Sequence, residues 1–235
     1  MNEHTHKQFD AEMEALRNGV LAMGGLVETQ LERALEALEL GDASGSVDEV
    51  GAVEQSINRK QVDIDQQCAQ VIAKRQPAAI DLRMILTVAK IVNDLERVGD
   101  EAKKVVYKAV QTPNAGALER VRHFDAARAM RQARDMLQLA LDAFARLDLS
   151  AAAEVIERDE EIDSSFDSIV RHLVSYMMED PRTISAALEV VFIAKSIERI
   201  GDHSKNVAEA VVQMVKGRDV RHISAAEMRA EVGEE

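Results

Sequence analysis

The pentapeptide Glu-Arg-Val-Gly-Asp at residues 96–100 returns 102 residues later as Glu-Arg-Ile-Gly-Asp at residues 198–202. Downstream, Lys103 corresponds to Lys205 at the same offset. Upstream segments align at offsets of 105 and 106, so the offset shrinks smoothly along the chain. This pattern indicates that one three-helix unit is duplicated in the chain, with small deletions in the loops of the second copy. An internal duplication constrains the architecture more strongly than any single motif does.

The composition predicts that both copies are helical. The 235 residues contain no Trp, 3% aromatic residues, 11 Gly and 3 Pro. A chain this poor in aromatic residues and helix breakers, and rich in Ala, Leu, Glu, Arg and Val, is typical of an all-α protein. Sandwiches, barrels and doubly wound sheets are thereby excluded.

Short segments rich in helix-breaking or helix-capping residues divide the chain into predicted helices. Helices are predicted over about 7–40, 46–76, 77–111 and 118–147, then from a cap at Ser150, and from Asp180-Pro181 to Gly217. Ser46 and Glu49 match a capping box, and loops are predicted at 41–45 and 112–116. Long amphipathic helices with short loops pack as antiparallel bundles. We therefore predict an all-α fold of two similar three-helix bundles, residues 1–113 and 114–217, with a polar tail at 218–235.

A pair of glycines interrupts the first predicted helix at Gly24 and Gly25. Each Gly costs a helix about 1 kcal/mol relative to Ala. The pair predicts a kink or a close helix crossing at this point.

Charge and cysteine content limit the functions and compartments open to the chain. The formal net charge of −13 repels nucleic acids and anionic lipids. The single cysteine, Cys68, excludes an internal disulfide and a thiolate metal cluster, and is typical of a reducing compartment. The longest charge-free stretches have ten residues, too few for a transmembrane helix. With no signal-peptide pattern at residues 1–4, a cytoplasmic location is expected.

The repeated pentapeptide carries an unfavourable arrangement of charge. Glu96 and Asp100 lie one turn apart on the same helix face, where two like charges cost roughly 0.2–0.5 kcal/mol. Gly99 adds a cost of about 1 kcal/mol. A single pair of this kind is most simply explained as part of a solvent-exposed acidic helix surface. Its return in the second repeat, with Gly again between the acids, favours a functional role.

Further acidic residues lie at equal distances in sequence on either side of the predicted turns. In an antiparallel helix pair, such residues face each other at the same height along the helix axes. Asn58 precedes Pro77 by 19 residues and Glu96 follows it by 19, and the second repeat has the same symmetry about the turn near residue 180. Each antiparallel helix pair therefore gathers four side chains: Glu54, Asn58, Glu96 and Asp100 in the first repeat, and Asp159, Asp163, Glu198 and Asp202 in the second. Such a patch repels itself unless cations fill it or the acids hold protons. Dense carboxylate oxygens suit magnesium, calcium, manganese or iron, and zinc is less natural without Cys or His.

Sequence motifs for catalysis are absent. The chain has no Gly-rich phosphate loop, no His-Glu-x-x-His and no nucleophile elbow. Glu3 and His6 alone have the Glu-x-x-His spacing, whereas di-iron oxidases carry that motif on two helices, so each histidine is expected to be an ordinary surface or core residue; they are His4, His6, His123, His172, His203 and His222. No catalytic residue is assigned, and the protein is expected not to be an enzyme.

The chain resembles the PhoU family of phosphate-uptake regulators over nearly its whole length. The most specific segments are residues 75–83 (Arg-Gln-Pro-Ala-Ala-Ile-Asp-Leu-Arg), 94–100 and 197–203. In that family a Glu or Asp followed four residues later by Asp marks the metal motif of each repeat. The resemblance implies the pairs Glu96 with Asp100 and Glu198 with Asp202, faced by the pairs Glu54 with Asn58 and Asp159 with Asp163. Asn58 departs from the pattern, because an acid is expected there.

The resemblance also implies a role. For this chain we expect a homodimer and, as metal ions, iron, manganese, magnesium or zinc. Family members fold as two three-helix bundles, can bind multinuclear metal clusters on the bundle surface, and act as negative regulators. They link the ATPase subunit of a phosphate ABC transporter to a phosphate sensor histidine kinase, so any membrane association is peripheral and runs through these partners. Two alternatives stay open: a metal-dependent carboxylate-bundle enzyme and a metal-free helical adaptor. The lack of a pair of Glu-x-x-His motifs argues against the first, and the mirrored acids argue against the second.

Overall fold

The protein is all-α, as the composition predicts. The computed structural model describes residues 2–40, 46–111, 121–218 and 220, and these residues form no strand. Six long helices run in chain order: α1 Asn2–Leu40, α2 Ser46–Arg75, α3 Ala79–Gln111, α4 Ala127–Arg146, α5 Leu149–Glu179 and α6 Ile184–Lys216. A π-helical turn, Val121–Ala126, leads into α4, and a 3-10 turn, Pro181–Thr183, leads into α6. The predicted loops at 41–45 and 112–116, and the tail from 221, lie outside the described residues.

The helices form two similar layers of three. Helices α1, α2 and α3 pack on one another, as do α4, α5 and α6, and the two groups meet along α3–α6 and α1–α4. The α3–α6 pair is antiparallel, because Lys90 bonds to Gln213 while Lys108 bonds to Glu189. One hydrophobic core runs through the two groups and includes Phe144, the largest fully buried side chain. No helix in the described ranges has a stretch long and apolar enough to cross a membrane. The division of the chain near residue 113 stays a prediction.

Helix ends agree with the sequence at some positions and correct it at others. Asp180 caps the turn before α6 by accepting from the Arg182 backbone N–H at 3.1 Å, and Gly217 ends α6 in the left-handed region with φ 75°, both as predicted. The cap of α5 is Asp148, whose carboxylate accepts from two backbone N–H groups, so the prediction of Ser150 as the cap is wrong. An Asp accepts such bonds as readily as a Ser. Helix α3 begins at Ala79, two residues after Pro77. The capping contact predicted for the Ser46 side chain lies outside the described part.

The expected close crossing in α1 lies at Gly24. A Cβ at this position would lie 2.8 Å from Leu141 Cδ1 of α4, so only Gly lets the two helices approach this closely. A Cβ at Gly25 would meet no atom within 4 Å. The glycine pair is therefore explained by packing between the two bundles at the first of its two positions.

Candidate metal sites on the two bundles

The repeated glycines bring the acid-bearing helices together. A Cβ at Gly99 of α3 would lie 3.0 Å from Ile57 of α2, and a Cβ at Gly201 of α6 would lie 3.2 Å from Ile162 of α5. The two glycines and the two isoleucines hold corresponding positions in the repeats. The helix cost of each Gly is thus offset by a close helix–helix contact, which sets the separation between the facing acids.

In the first bundle, the four predicted side chains lie together on the α2–α3 surface. This first acid patch consists of Glu54, Asn58, Glu96 and Asp100. Glu54 is its buried member, 5% exposed, and Asn58 donates to its Oε1 at 3.5 Å. The other acids are half-buried and meet cations: Arg97 lies 3.7 Å from Glu96, and Lys104 lies 3.1 Å from Asp100.

In the second bundle, the α5–α6 surface repeats this arrangement. This second acid patch consists of Asp159, Asp163, Glu198 and Asp202. Asp159 is the buried member, again 5% exposed, and its Oδ2 lies 2.7 Å from Lys205 Nζ. Glu198 Oε2 lies 2.6 Å from Lys195 Nζ, while Asp163 and Asp202 are exposed.

Loss of hydration and, after it, the charges of neighbouring acids raise the pKa values of two members of the second patch. The pKa of Asp202 is raised by loss of hydration on the helix surface and then by the charges of Glu198, Asp159 and Asp163. The pKa of Asp163 is raised by the same loss of hydration and then by Asp159 and Glu198.

In the first patch, burial raises the pKa of Glu54, the nearby Lys103 opposes it, and Asp100 and Glu96 reinforce it. A carboxyl whose pKa is raised in the folded state stabilises the fold at low pH, and this contribution disappears as pH rises through that pKa. At neutral pH the ionised carboxylates of Glu54, Asp163 and Asp202 therefore oppose folding.

The donor chemistry of both patches suits a hard cation. Carboxylate and amide oxygens are the ligands preferred by magnesium, calcium and manganese, and iron accepts them too. In the described part of the chain, the side-chain conformations do not place three or more carboxylate, imidazole or thiol groups close enough together to bind one metal ion. Lysine ammonium groups lie against the acids instead. Binding of a metal ion therefore requires these lysines to move aside.

One residue of the first patch went unnoticed in the sequence. Gln30 of α1 is completely buried, and its Nε2 donates to Glu54 Oε2 and to the Gly99 backbone oxygen, both at 3.1 Å. Its Oε1 has no hydrogen-bond partner within the described part of the chain. The repeat alignment places the apolar Met136 at the corresponding position in the second bundle. The sequence signal for this residue was a polar side chain at a position where the helix pattern predicts an apolar core residue. A buried amide needs hydrogen-bond partners, so such a residue indicates a polar contact inside the bundle.

The histidines whose side chains are described take no part in either patch. His203 lies 2.9 Å from Asp94 of α3, within the contact between the bundles, and His172 lies 3.1 Å from Asp125. The side chains of His4, His6, His123 and His222 lie outside the described residues. The contact between the bundles also contains Glu101, 2% exposed, which pairs with Arg199 at 2.9 Å.

Comparison with known proteins supports the duplication and identifies the family. The sequence model of the PhoU domain matches residues 20–109 and again 126–211. The phosphate-specific transport system accessory protein PhoU homolog of Pseudomonas aeruginosa is 45% identical over 236 residues, which cover 99% of this chain and 95% of that protein.

Solved structures agree in fold. The crystal structure of PhoU from Pseudomonas aeruginosa superposes with a TM-score of 0.84 at 44% identity, covering 89% of this chain and 100% of that one. The crystal structure of the phosphate transport system regulatory protein PhoU from Streptococcus pneumoniae gives a TM-score of 0.81 at 27% identity, covering 90% of this chain and 99% of that one. With two copies of the domain, six helices in two similar groups and nearly full-length relatives, the chain belongs to the PhoU family.

Proposed function

We propose that this protein is a cytoplasmic negative regulator of phosphate uptake and of phosphate-starvation signalling. It acts by protein–protein contact, linking the ATPase subunit of a phosphate ABC transporter to a phosphate sensor histidine kinase. It works as a homodimer and reaches the membrane only through these partners.

The observation that carries this proposal is the near-complete match to phosphate-transport accessory proteins. The relative from Pseudomonas aeruginosa aligns over 99% of this chain, so the function is transferred across a whole protein and not from one shared domain. The family is named for an accessory role, and the long helices present extended surfaces suited to partner proteins. An adaptor needs such surfaces more than it needs an enclosed active site.

We also propose that the two acid patches bind divalent or trivalent metal ions, with iron, manganese, magnesium and zinc as the candidates. Glu54, Asn58, Glu96 and Asp100 would hold the ion on the first bundle, and Asp159, Asp163, Glu198 and Asp202 the ion on the second. A bound cation supplies the positive charge that the ionised carboxylates lack. The raised pKa values of Glu54, Asp163 and Asp202 agree with this role, because these carboxylates have lost hydration and, in addition, lie near other acids of the patch.

A metal-dependent enzyme is the second candidate, and the geometry favours it less. A pocket of about 320 Å³ lies in the groove between α3 and α6. It is lined by Lys90, Asn93, Asp94, Asn206, Glu209, Ala210 and Gln213, and none of these belongs to either acid patch. This pocket therefore does not bring a substrate next to the acids, as a metal-dependent enzyme would require.

The regulatory role is tested by deleting the gene and following a phosphate-starvation reporter in phosphate-rich medium. We expect the deletion to switch the reporter on, because a negative regulator holds it off when phosphate is plentiful. The same strain complemented with the intact gene is the control and should return to low expression. A reporter that stays off in the deletion strain contradicts the regulatory role.

A further inference from the structure

One lysine lies against the buried acid of each patch, at corresponding positions of the two repeats. Lys103 of α3 lies 3.9 Å from Glu54, and Lys205 of α6 lies 2.7 Å from Asp159. Both lysine side chains are 34% exposed, while the carboxylate side chains are 7% and 8% exposed. The duplication has therefore kept a buried acid and a half-exposed lysine together in both bundles.

A buried carboxylate needs such a partner in the absence of a metal ion. Removing a carboxylate from water is costly unless an opposite charge or hydrogen bonds compensate it. Among the described residues, the side chain that binds the Asp159 carboxylate is Lys205, whose ammonium donates to Oδ2. Burial lowers the pKa of Lys205, but its hydrogen bond to Asp159 and the charges of Asp159, Glu209 and Asp202 raise it overall.

The first patch depends less on its lysine. Glu54 also accepts a hydrogen bond from the buried Gln30 amide at 3.1 Å, and Lys103 lies farther away than Lys205 does in the second patch. Met136, at the position corresponding to Gln30, has no group that donates to Asp159. The second patch is therefore the one in which the lysine carries most of the compensation.

We propose that Lys103 and Lys205 are built-in counter-cations of the two patches, which stabilise the buried carboxylate when no metal is bound and compete with a metal ion for it. The inference rests on the proposed cation sites and adds their regulation. A metal ion that ligates Asp159 must displace the Lys205 ammonium, so metal affinity is set by this lysine as well as by the acids. The effect is larger in the second patch, where the pair is closer.

Calorimetric titration of the chelator-treated full-length protein with Mn²⁺ tests this competition, using Lys205→Met. Methionine keeps much of the apolar stem and removes the charge. We expect about a tenfold lower Kd for Mn²⁺, the size of a typical coupling between two sites. We also expect a lower Tm than wild type in the presence of chelator, restored by Mn²⁺. Lys205→Arg retains the charge and should keep both values near those of wild type.

Two further variants complete the design. Lys74→Met removes the same charge at an exposed site that contacts Gln70 and lies outside both patches, and should leave the Kd unchanged. In Lys103→Met, Gln30 still donates to Glu54, so the changes in Kd and Tm should be in the same direction but smaller. This variant tests the competition if Lys205→Met does not fold.

The outcomes separate this inference from the sites on which it rests. Equal Mn²⁺ affinity in wild type and both Met variants overturns the competition and leaves the proposed cation sites standing. No Mn²⁺ binding by any variant overturns both.

Discussion

Replacing both Glu198 and Asp202 by Ala is expected to remove more bound metal than replacing both Glu96 and Asp100. The second patch offers four carboxylates and the first offers three, because Asn58 is neutral. Each patch is contacted by two lysines, so lysine neutralisation does not cancel this difference. Coulomb attraction to a cation grows with the charge of its ligands. Metal content per chain, measured by mass spectrometry after purification without chelator, reads out the difference.

A matched control for this comparison lies on the same helix as Asp159. Glu160 and Glu161 are exposed acids of α5 outside the patch, so changing both to Ala removes the same charge without removing a proposed ligand. This variant should keep the wild-type metal content. Equal losses from the two patch variants contradict the inequality, and a native protein without metal under all loading conditions contradicts the sites themselves.

Removing the metal is expected to lower the melting temperature of the native protein. A ligand present at a hundred times its Kd stabilises the folded state by about 2.7 kcal/mol. For a chain of this length that corresponds to a Tm change of about 5–10 °C. The protein with Glu198 and Asp202 replaced by Ala should lose less on chelation, because it starts with less metal and less repulsion. An equal Tm with and without chelator contradicts this prediction.

The metal-free protein should also become more stable as pH falls from neutral towards the usual pKa of a carboxyl group. The pKa values of Glu54, Asp163 and Asp202 are raised, so protonation removes the cost of keeping poorly hydrated, mutually repelling carboxylates ionised in the folded state. Glu12 and Asp180 have lowered pKa values through contacts with Arg75 and Arg182, and their stabilising contribution is lost only at lower pH. Urea unfolding at several pH values, with and without Mn²⁺, measures the change, which bound metal should reduce.

The fold was predictable because its determinants are local and repeated. The offset between the two pentapeptides revealed the duplication, and the lack of breakers allowed only helices. The gathering of the acids followed from their distances to the turns, since antiparallel helices bring residues equally far from a turn to the same level. Asp180 and Gly217 marked helix ends for the same reason, as caps act within a single turn.

The features that the sequence did not reveal depend on contacts between distant segments. Gln30 reaches Glu54 and the Gly99 carbonyl across two helix interfaces, and no spacing rule connects these residues. The Lys103–Lys205 correspondence was visible, but their contacts with buried acids depend on helix rotation and side-chain rotamers. Asp148 and Ser150 lie two residues apart and both are residue types that cap helices, so the sequence alone does not show which of them begins the helix.

Co-purification of the tagged full-length protein from phosphate-replete cells tests the central claim, that this chain links phosphate transport to its control, most directly. The account predicts recovery of a phosphate-transporter ATPase subunit and of a membrane sensor histidine kinase, identified by mass spectrometry, and neither in a parallel purification from cells that carry the tag alone. Absence of both proteins from the tagged sample, with the regulator itself recovered in good yield, would contradict it.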